Sequence, residues 1–151
     1  MKISLISQNV KETHLCGAIL AQALEEGEIV KNKGAAIVSL EGNLGSGKTE
    51  FVKGMGQALK IKKKILSPTF LLLKSYPLKG SRFSDFYHLD CYRVLAKNMI
   101  SLGLEDIFKD KQSIVVIEWG DLLKNVLKSD IIRIKFKVLN KKERLIEFVI
   151  K

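Results

Sequence analysis

Gly42-Asn43-Leu44-Gly45-Ser46-Gly47-Lys48-Thr49 follows directly on the apolar run Ala35-Ala36-Ile37-Val38-Ser39-Leu40 and leads into Phe51, Val52, Met55 and Leu59 at helical spacing. The octapeptide satisfies G-x-x-x-x-G-K-[ST] at every fixed position. Glycines at 42, 45 and 47 let successive backbone N–H groups turn inward and form an anion-binding nest. A helix opening near Lys48 adds about half a positive charge at its N-terminus, where phosphate binds. Lys48 then reaches the β- and γ-phosphates and Thr49 offers a hydroxyl to magnesium. At this chain's Gly, Lys and Ser/Thr frequencies, chance produces the pattern in roughly one chain in a hundred, and the strand before and helix after it lower that further. The expected ligands are ATP and Mg2+, with Gly42 to Thr49 as the nucleotide-binding segment.

The 151 residues suit one domain over 1–151, and 46% apolar with 28% charged residues is the balance of a globular chain. The longest apolar runs fall far short of the ~20 residues that span a bilayer. The segment after Met1-Lys2 is too interrupted for a signal peptide, so the expected location is cytoplasmic, with no membrane partner. Cys16 and Cys91 lack metal-ligand or redox spacing and read as buried free thiols. The net charge of +10 comes from 26 basic residues of which only Arg82, Arg93, Arg133 and Arg144 are arginine. Lysine is a hydrated point charge, whereas arginine reads phosphate and guanine with a two-pronged fork. The cluster Lys60, Lys62, Lys63 and Lys64 therefore reads as a solvated face.

Elsewhere, Asn9 and Glu12 make a capping box for a helix through Leu15, Ile19, Leu20 and Leu24, ending near Gly27. A second helix is expected from about Lys48 to Lys60. Extended segments near Phe70–Tyr76 and Arg82–Tyr92, with a turn at Lys79-Gly80, suggest a hairpin. A helix is expected over Ser101–Phe108 and a short one near Asp121–Leu127. Ile114-Val115-Val116-Ile117 reads as a second buried strand, and Ile131–Leu139 with Arg144–Ile150 as a terminal hairpin. The fold class that follows is α/β: a P-loop NTPase-like three-layer sandwich with a mixed, mostly parallel central sheet and a C-terminal antiparallel hairpin.

A phosphate-binding loop needs a further acid for its metal, usually at the end of a neighbouring apolar strand. Glu118 occupies that place. Asp90, in Tyr87-His88-Leu89-Asp90, is the other candidate, for the metal or for orienting the attacking water, and stands against a plain ion pair with Arg93. His88 reads as structural, His14 as a helix-surface residue and Trp119 as core filling.

Taken in order, Gly42–Thr49, Ser67-Pro68-Thr69-Phe70, His88-Leu89-Asp90-Cys91-Tyr92-Arg93, Gly103-Leu104 and Ile117-Glu118-Trp119 resemble the bacterial TsaE (YjeE) family over roughly residues 9–122. The resemblance implies an ATPase that supports threonylcarbamoyl modification of the adenosine next to the tRNA anticodon. It implies that Lys48 and the loop hold phosphates, that Thr49 and Glu118 ligate magnesium, and that Asp90 serves hydrolysis. Thr69 would lie in a segment that senses the γ-phosphate, and Trp119, Thr13 and Arg144 would lie near the nucleotide. The implied partners are TsaB- and TsaD-like subunits, one of which performs the transfer, with tRNA met indirectly. The chain departs from the family pattern at Asn43, where Asp is common, at Leu71, where Thr is common, and at Gly120-Asp121, where Pro-Glu is common.

Three rivals are weaker. A small P-loop kinase would bring an arginine-rich lid, and this chain has four arginines in all. A GTPase-like switch would read guanine with N-K-x-D, which Asn140-Lys141-Lys142-Glu143 only imitates. A binding module that keeps ATP as a structural ligand would need no hydrolytic acid.

Overall fold

The computed structural model describes residues 1–29, 33–67, 72–92, 102–127 and 130–150. Two strands carry the centre, β2 (Ala36–Glu41) and β5 (Ser113–Glu118), and every residue of both is buried. Such runs have no solvent face, so each must be covered above and below. β2 pairs in parallel with β5 on one side and with β6 (Ile132–Val138) on the other, and β5 pairs in parallel with β4 (Asp85–Asp90). Antiparallel pairs flank this centre: β3 (Leu73–Pro77) on β4, and β7 (Arg144–Val149) on β6. The described sheet has seven strands in the order β1-β7-β6-β2-β5-β4-β3. This is the mixed α/β sandwich expected, with both hairpins where the turn signals put them.

β1 (Lys2–Ser7) is the addition. It closes the sheet on β7, antiparallel, pairing Lys2 with Val149 and Ser7 with Arg144. An exposed edge strand has only a weak inside–outside pattern, and its partner lies at the far end of the chain, so local sequence did not reveal it.

One face of the sheet is covered by α1 (Val10–Glu26) and α2 (Lys48–Ala58), which pack with Val38, Leu40, Ile114, Val116 and Ile134. On the other face α3 (Leu104–Lys109) and a 3-10 turn at Gly120–Leu123 cover Ile37, Val115, Ile117 and Leu89. The helix expected near Asp121–Leu127 is thus a 3-10 turn, α2 ends at Ala58 and not at Lys60, and α3 starts at Leu104. α1 is stopped as its sequence predicts: the Asn9 side chain accepts from Glu12 N at 3.0 Å, and Gly27 ends the helix in the left-handed region.

α1 and α2 cross closely because Gly17 and Gly54 have no side chain. A Cβ on Gly17 would run into the Phe51 carbonyl, and one on Gly54 into that of His14. His14 is not a free surface residue: its Nε2 lies 2.6 Å from Glu50 Oε2 and ties the two helices together. Lys60, Lys62, Lys63 and Lys64 are exposed, as a solvated face should be. Both cysteines are buried and free. No helix among the described residues is long and apolar enough to cross a membrane.

Candidate functional site

Three strands end at one place. β2 runs into the Gly42–Gly47 loop, β4 ends on Asp90, and β5 ends on Glu118, which stands in register with Asp90. In open parallel sheets ligands bind at the carboxyl ends of the strands, and here the loop and two acids share that edge. The loop has Gly42, Gly45 and Gly47 at φ values of 152°, 74° and 101°, all in the region that side-chain-bearing residues avoid. Ser46 N donates to the Asn43 carbonyl (3.1 Å), closing the turn, while Asn43, Leu44 and Gly45 form its exposed tip. No side chain caps the N-terminus of α2, in contrast to Asn9 on α1, so its first amides face the concavity of the loop.

Lys48 is buried. Its Nζ donates to the Gly42 carbonyl (2.6 Å) and the Asn43 carbonyl (3.0 Å), and lies 4.1 Å from the centre of the Trp119 ring. Burial lowers the ammonium below its ordinary 10.5, while the charges of Glu118, Asp90 and Asp121 pull it back up. Trp119 is held at φ 61°, a conformation that costs a non-glycine residue about 1–3 kcal/mol and that collects at functional sites. Tyr92 stacks on its ring at 4.8 Å. Trp119 thus lies against Lys48 and also packs, half-buried, on the apolar cluster of Ile117 and Leu123.

The Thr49 hydroxyl donates to Glu118, 2.8 Å from Oε1 and 3.1 Å from Oε2. A second contact reaches the same carboxylate: His88 Nε2, 2.8 Å from Oε1. Asp90 is buried and accepts from the Ser67 hydroxyl at Oδ2 (3.0 Å) and from Tyr92 N at Oδ1 (2.9 Å). Asp121 Oδ1 is buried without a hydrogen-bond partner among the described residues. Together these groups surround Lys48 with negative charge and place a hydroxyl and a carboxylate side by side. A hydroxyl and carboxylate are hard oxygen donors, the set that suits magnesium, which keeps waters and phosphate oxygens as its other ligands. No group of three or more His, Cys, Asp or Glu forms a metal cage among the described residues.

Arg144 comes from the other hairpin. Its Nη2 donates to the Gly45 carbonyl (3.3 Å) and its Nη1 to the Asn140 carbonyl (2.8 Å), so it fastens the hairpin to the loop. Thr13 is buried behind the loop: its hydroxyl lies 2.8 Å from Ser7 Oγ, and its methyl faces Gly47. Thr69 and Arg93 lie outside the described residues. Asn140-Lys141-Lys142-Glu143 is a turn, with Asn140 Oδ1 accepting from Lys142 N (2.9 Å) and Glu143 N (2.8 Å). Sequence reasoning quoted Ser67 and His88 within motifs without foreseeing their hydrogen bonds to Asp90 and Glu118. A signal was present for His88: it stands two residues before Asp90, and residues two apart in a strand share a face.

With this geometry in view, comparison with known proteins is decisive. The family model described as "Threonylcarbamoyl adenosine biosynthesis protein TsaE" matches residues 7–146. The chain belongs to the TsaE family. Curated TsaE relatives from Bacillus subtilis, Rickettsia felis and Treponema pallidum are 31%, 33% and 33% identical, covering 93%, 96% and 89% of this chain and 80%, 78% and 90% of their own. Each is named a tRNA threonylcarbamoyladenosine biosynthesis protein. The crystal structure of YdiB from Bacillus subtilis superposes with a TM-score of 0.75 at 27% identity, covering 99% of this chain and 86% of that one. The TsaE match takes in every site residue from Thr13 to Arg144, so the family likeness and the strand-end cluster coincide. The chain thus belongs to a family of tRNA threonylcarbamoyladenosine biosynthesis.

Proposed function

We propose that this chain binds ATP with Mg2+ and hydrolyses it in support of tRNA threonylcarbamoyl modification, acting on a transferase complex of TsaB- and TsaD-like subunits and meeting tRNA only through them. Such work belongs in the cytoplasm. The observation that carries the reading is the 2.8 Å bond between Thr49 and Glu118 beside the Gly42–Lys48 loop.

In this reading the loop amides and the α2 N-terminus bind the phosphates, and Lys48 leaves the loop carbonyls to pair with the terminal ones. Thr49 and Glu118 would hold magnesium, which when bound neutralises charge on the β- and γ-phosphates. Asp90, kept in one orientation by Ser67 and Tyr92 N, would accept the proton of a water attacking the γ-phosphorus as the bond to the ADP oxygen breaks. Asn140 does not serve to read guanine, because its carboxamide oxygen is occupied within its own turn. Among the described residues the guanidinium groups are engaged elsewhere than in a kinase lid: Arg133 is paired with Glu41, Arg82 Nη1 donates to the Leu24 carbonyl (3.5 Å), and Arg144 holds the hairpin.

Phosphate release from ATP and Mg2+, with and without the two partner subunits, tests the reading. The expected result is slow release that changes when the partners are added. Asp90→Ala should retain the nucleotide and lose turnover by about 10²- to 10⁴-fold, the usual contribution of a general base. Transfer of phosphate to a small molecule, or full turnover in Asp90→Ala, would overturn it.

A further inference from the structure

His88 stands in β4 with no exposed surface, on the same strand face as Asp90. On that face Phe86 in its own strand and Val116 opposite it in β5 are apolar, while Lys74 stands opposite it in β3. A leucine or methionine would fill this place without burying two ring nitrogens. Among the described residues the imidazole has one hydrogen bond, Nε2 to Glu118 Oε1 at 2.8 Å, and its Nδ1 is buried without a partner. Leaving one polar atom unsatisfied costs about 1–3 kcal/mol. A side chain that carries such a cost in a core is there for the contact its other nitrogen makes.

Glu118 needs that contact. It is 3% exposed, and a buried carboxylate keeps its charge only where donors face it. An ionised carboxylate is acceptor-only, so His88 Nε2 is the donor in this bond. Oε1 then receives both His88 and Thr49 at 2.8 Å, while Oε2 has only the longer 3.1 Å approach of Thr49. Without His88 the carboxylate could swing about its side-chain bonds and still keep Thr49. With it, the carboxylate is fixed at two points from two different elements, β4 and α2.

From this geometry we infer that His88 is the positioning residue of Glu118: a buried donor that pins Oε1 and would leave the less engaged Oε2 for a cation. The inference rests on the proposed magnesium role of Thr49 and Glu118 and adds the group that keeps that pair set. In this role His88 acts through Glu118 and would not itself be a ligand.

The test is calorimetric binding of a non-hydrolysable ATP analogue, in EDTA and across a magnesium titration. Wild-type protein should bind more tightly with magnesium. In His88→Leu the binding in EDTA, which the loop provides, should be unchanged, while the magnesium concentration giving half the gain should rise about ten- to hundredfold, the usual effect of removing the group that orients a metal ligand. His88→Gln, whose amide nitrogen reaches the Nε2 position, should restore most of the magnesium response. His88→Asn, whose amide stops at the Nδ1 position, should not, and it carries the test if the leucine variant does not fold. Wild-type magnesium dependence in His88→Leu or His88→Asn overturns the role. So does an equal loss of affinity with and without magnesium, which a general packing defect would produce. If the wild type itself gains nothing from magnesium, the metal reading fails first and this role falls with it.

Discussion

Lys48 is the side chain on which the loop's behaviour turns. It is an ammonium buried against carbonyls of its own loop and an indole ring, surrounded by three carboxylates that favour its charge. Hydrogen bonds to charged groups contribute about 1.5–3 kcal/mol, so Lys48→Ala should weaken ATP binding by roughly ten- to hundredfold in calorimetry. The sole tryptophan, Trp119, provides an optical reading of the same event because Lys48 Nζ lies over its ring. ATP should change the intrinsic fluorescence of the wild type and leave that of Lys48→Ala unaltered. Glu118→Ala separates the metal from the phosphates: nucleotide binding in EDTA should persist while its magnesium enhancement is lost. Equal magnesium enhancement in both proteins would refute the ligand role.

The pairing of α1 with α2 makes predictions of another kind. Gly54 lies mid-helix, where alanine is ordinarily better by about 1 kcal/mol. The His14 carbonyl occupies the space of a Cβ there, so Gly54→Ala should destabilise the protein by about 1–3 kcal/mol, as overpacking does, and lower its urea midpoint. The same interface has a pH signature. Burial pushes the Glu50 carboxyl up, but the hydrogen bonds from Lys53 and His14, with their charges, outweigh it and leave the group below its ordinary 4.5. A depressed carboxylate gives stability that is present above 4.5 and is lost as pH falls through the folded value, because the unfolded chain takes up the proton first. The urea midpoint should therefore fall below pH 4.5, and it should fall less steeply in Glu50→Gln.

Over the molecule as a whole, several weak acids are kept neutral by the fold. Burial pushes the Cys91 thiol up to about 12, with Asp90 adding to it, and burial also raises Cys16 and Tyr76. Unfolding releases these groups to their ordinary values, 9.0 for the thiols and 10.0 for the phenol. The unfolded chain then holds fewer protons than the folded one, so stability should be intact below pH 9 and decline as pH rises toward 12. Thermal unfolding between pH 8 and pH 10.5 checks the sign, and native Cys91 should resist alkylation until the protein is unfolded.

Much of this architecture could be read along the chain. The Asn9–Glu12 box, the Gly27 stop, the glycine-rich turn into α2 and the unbroken apolar runs of β2 and β5 all depend on residues within a few positions of one another, where backbone preference and periodicity act directly. Family likeness then supplied the pathway. Local pattern has no means of stating that β1 closes on β7, that Asp90 stands opposite Glu118, or that Arg144 reaches the carbonyl of Gly45, 99 positions away. Those juxtapositions are set by strand order and by which faces must be buried together, a property of the packed sheet. His88 shows the difference most plainly: in the chain it is a lone histidine in an apolar strand, and it becomes a partner of Glu118 only because β4 and β5 lie side by side.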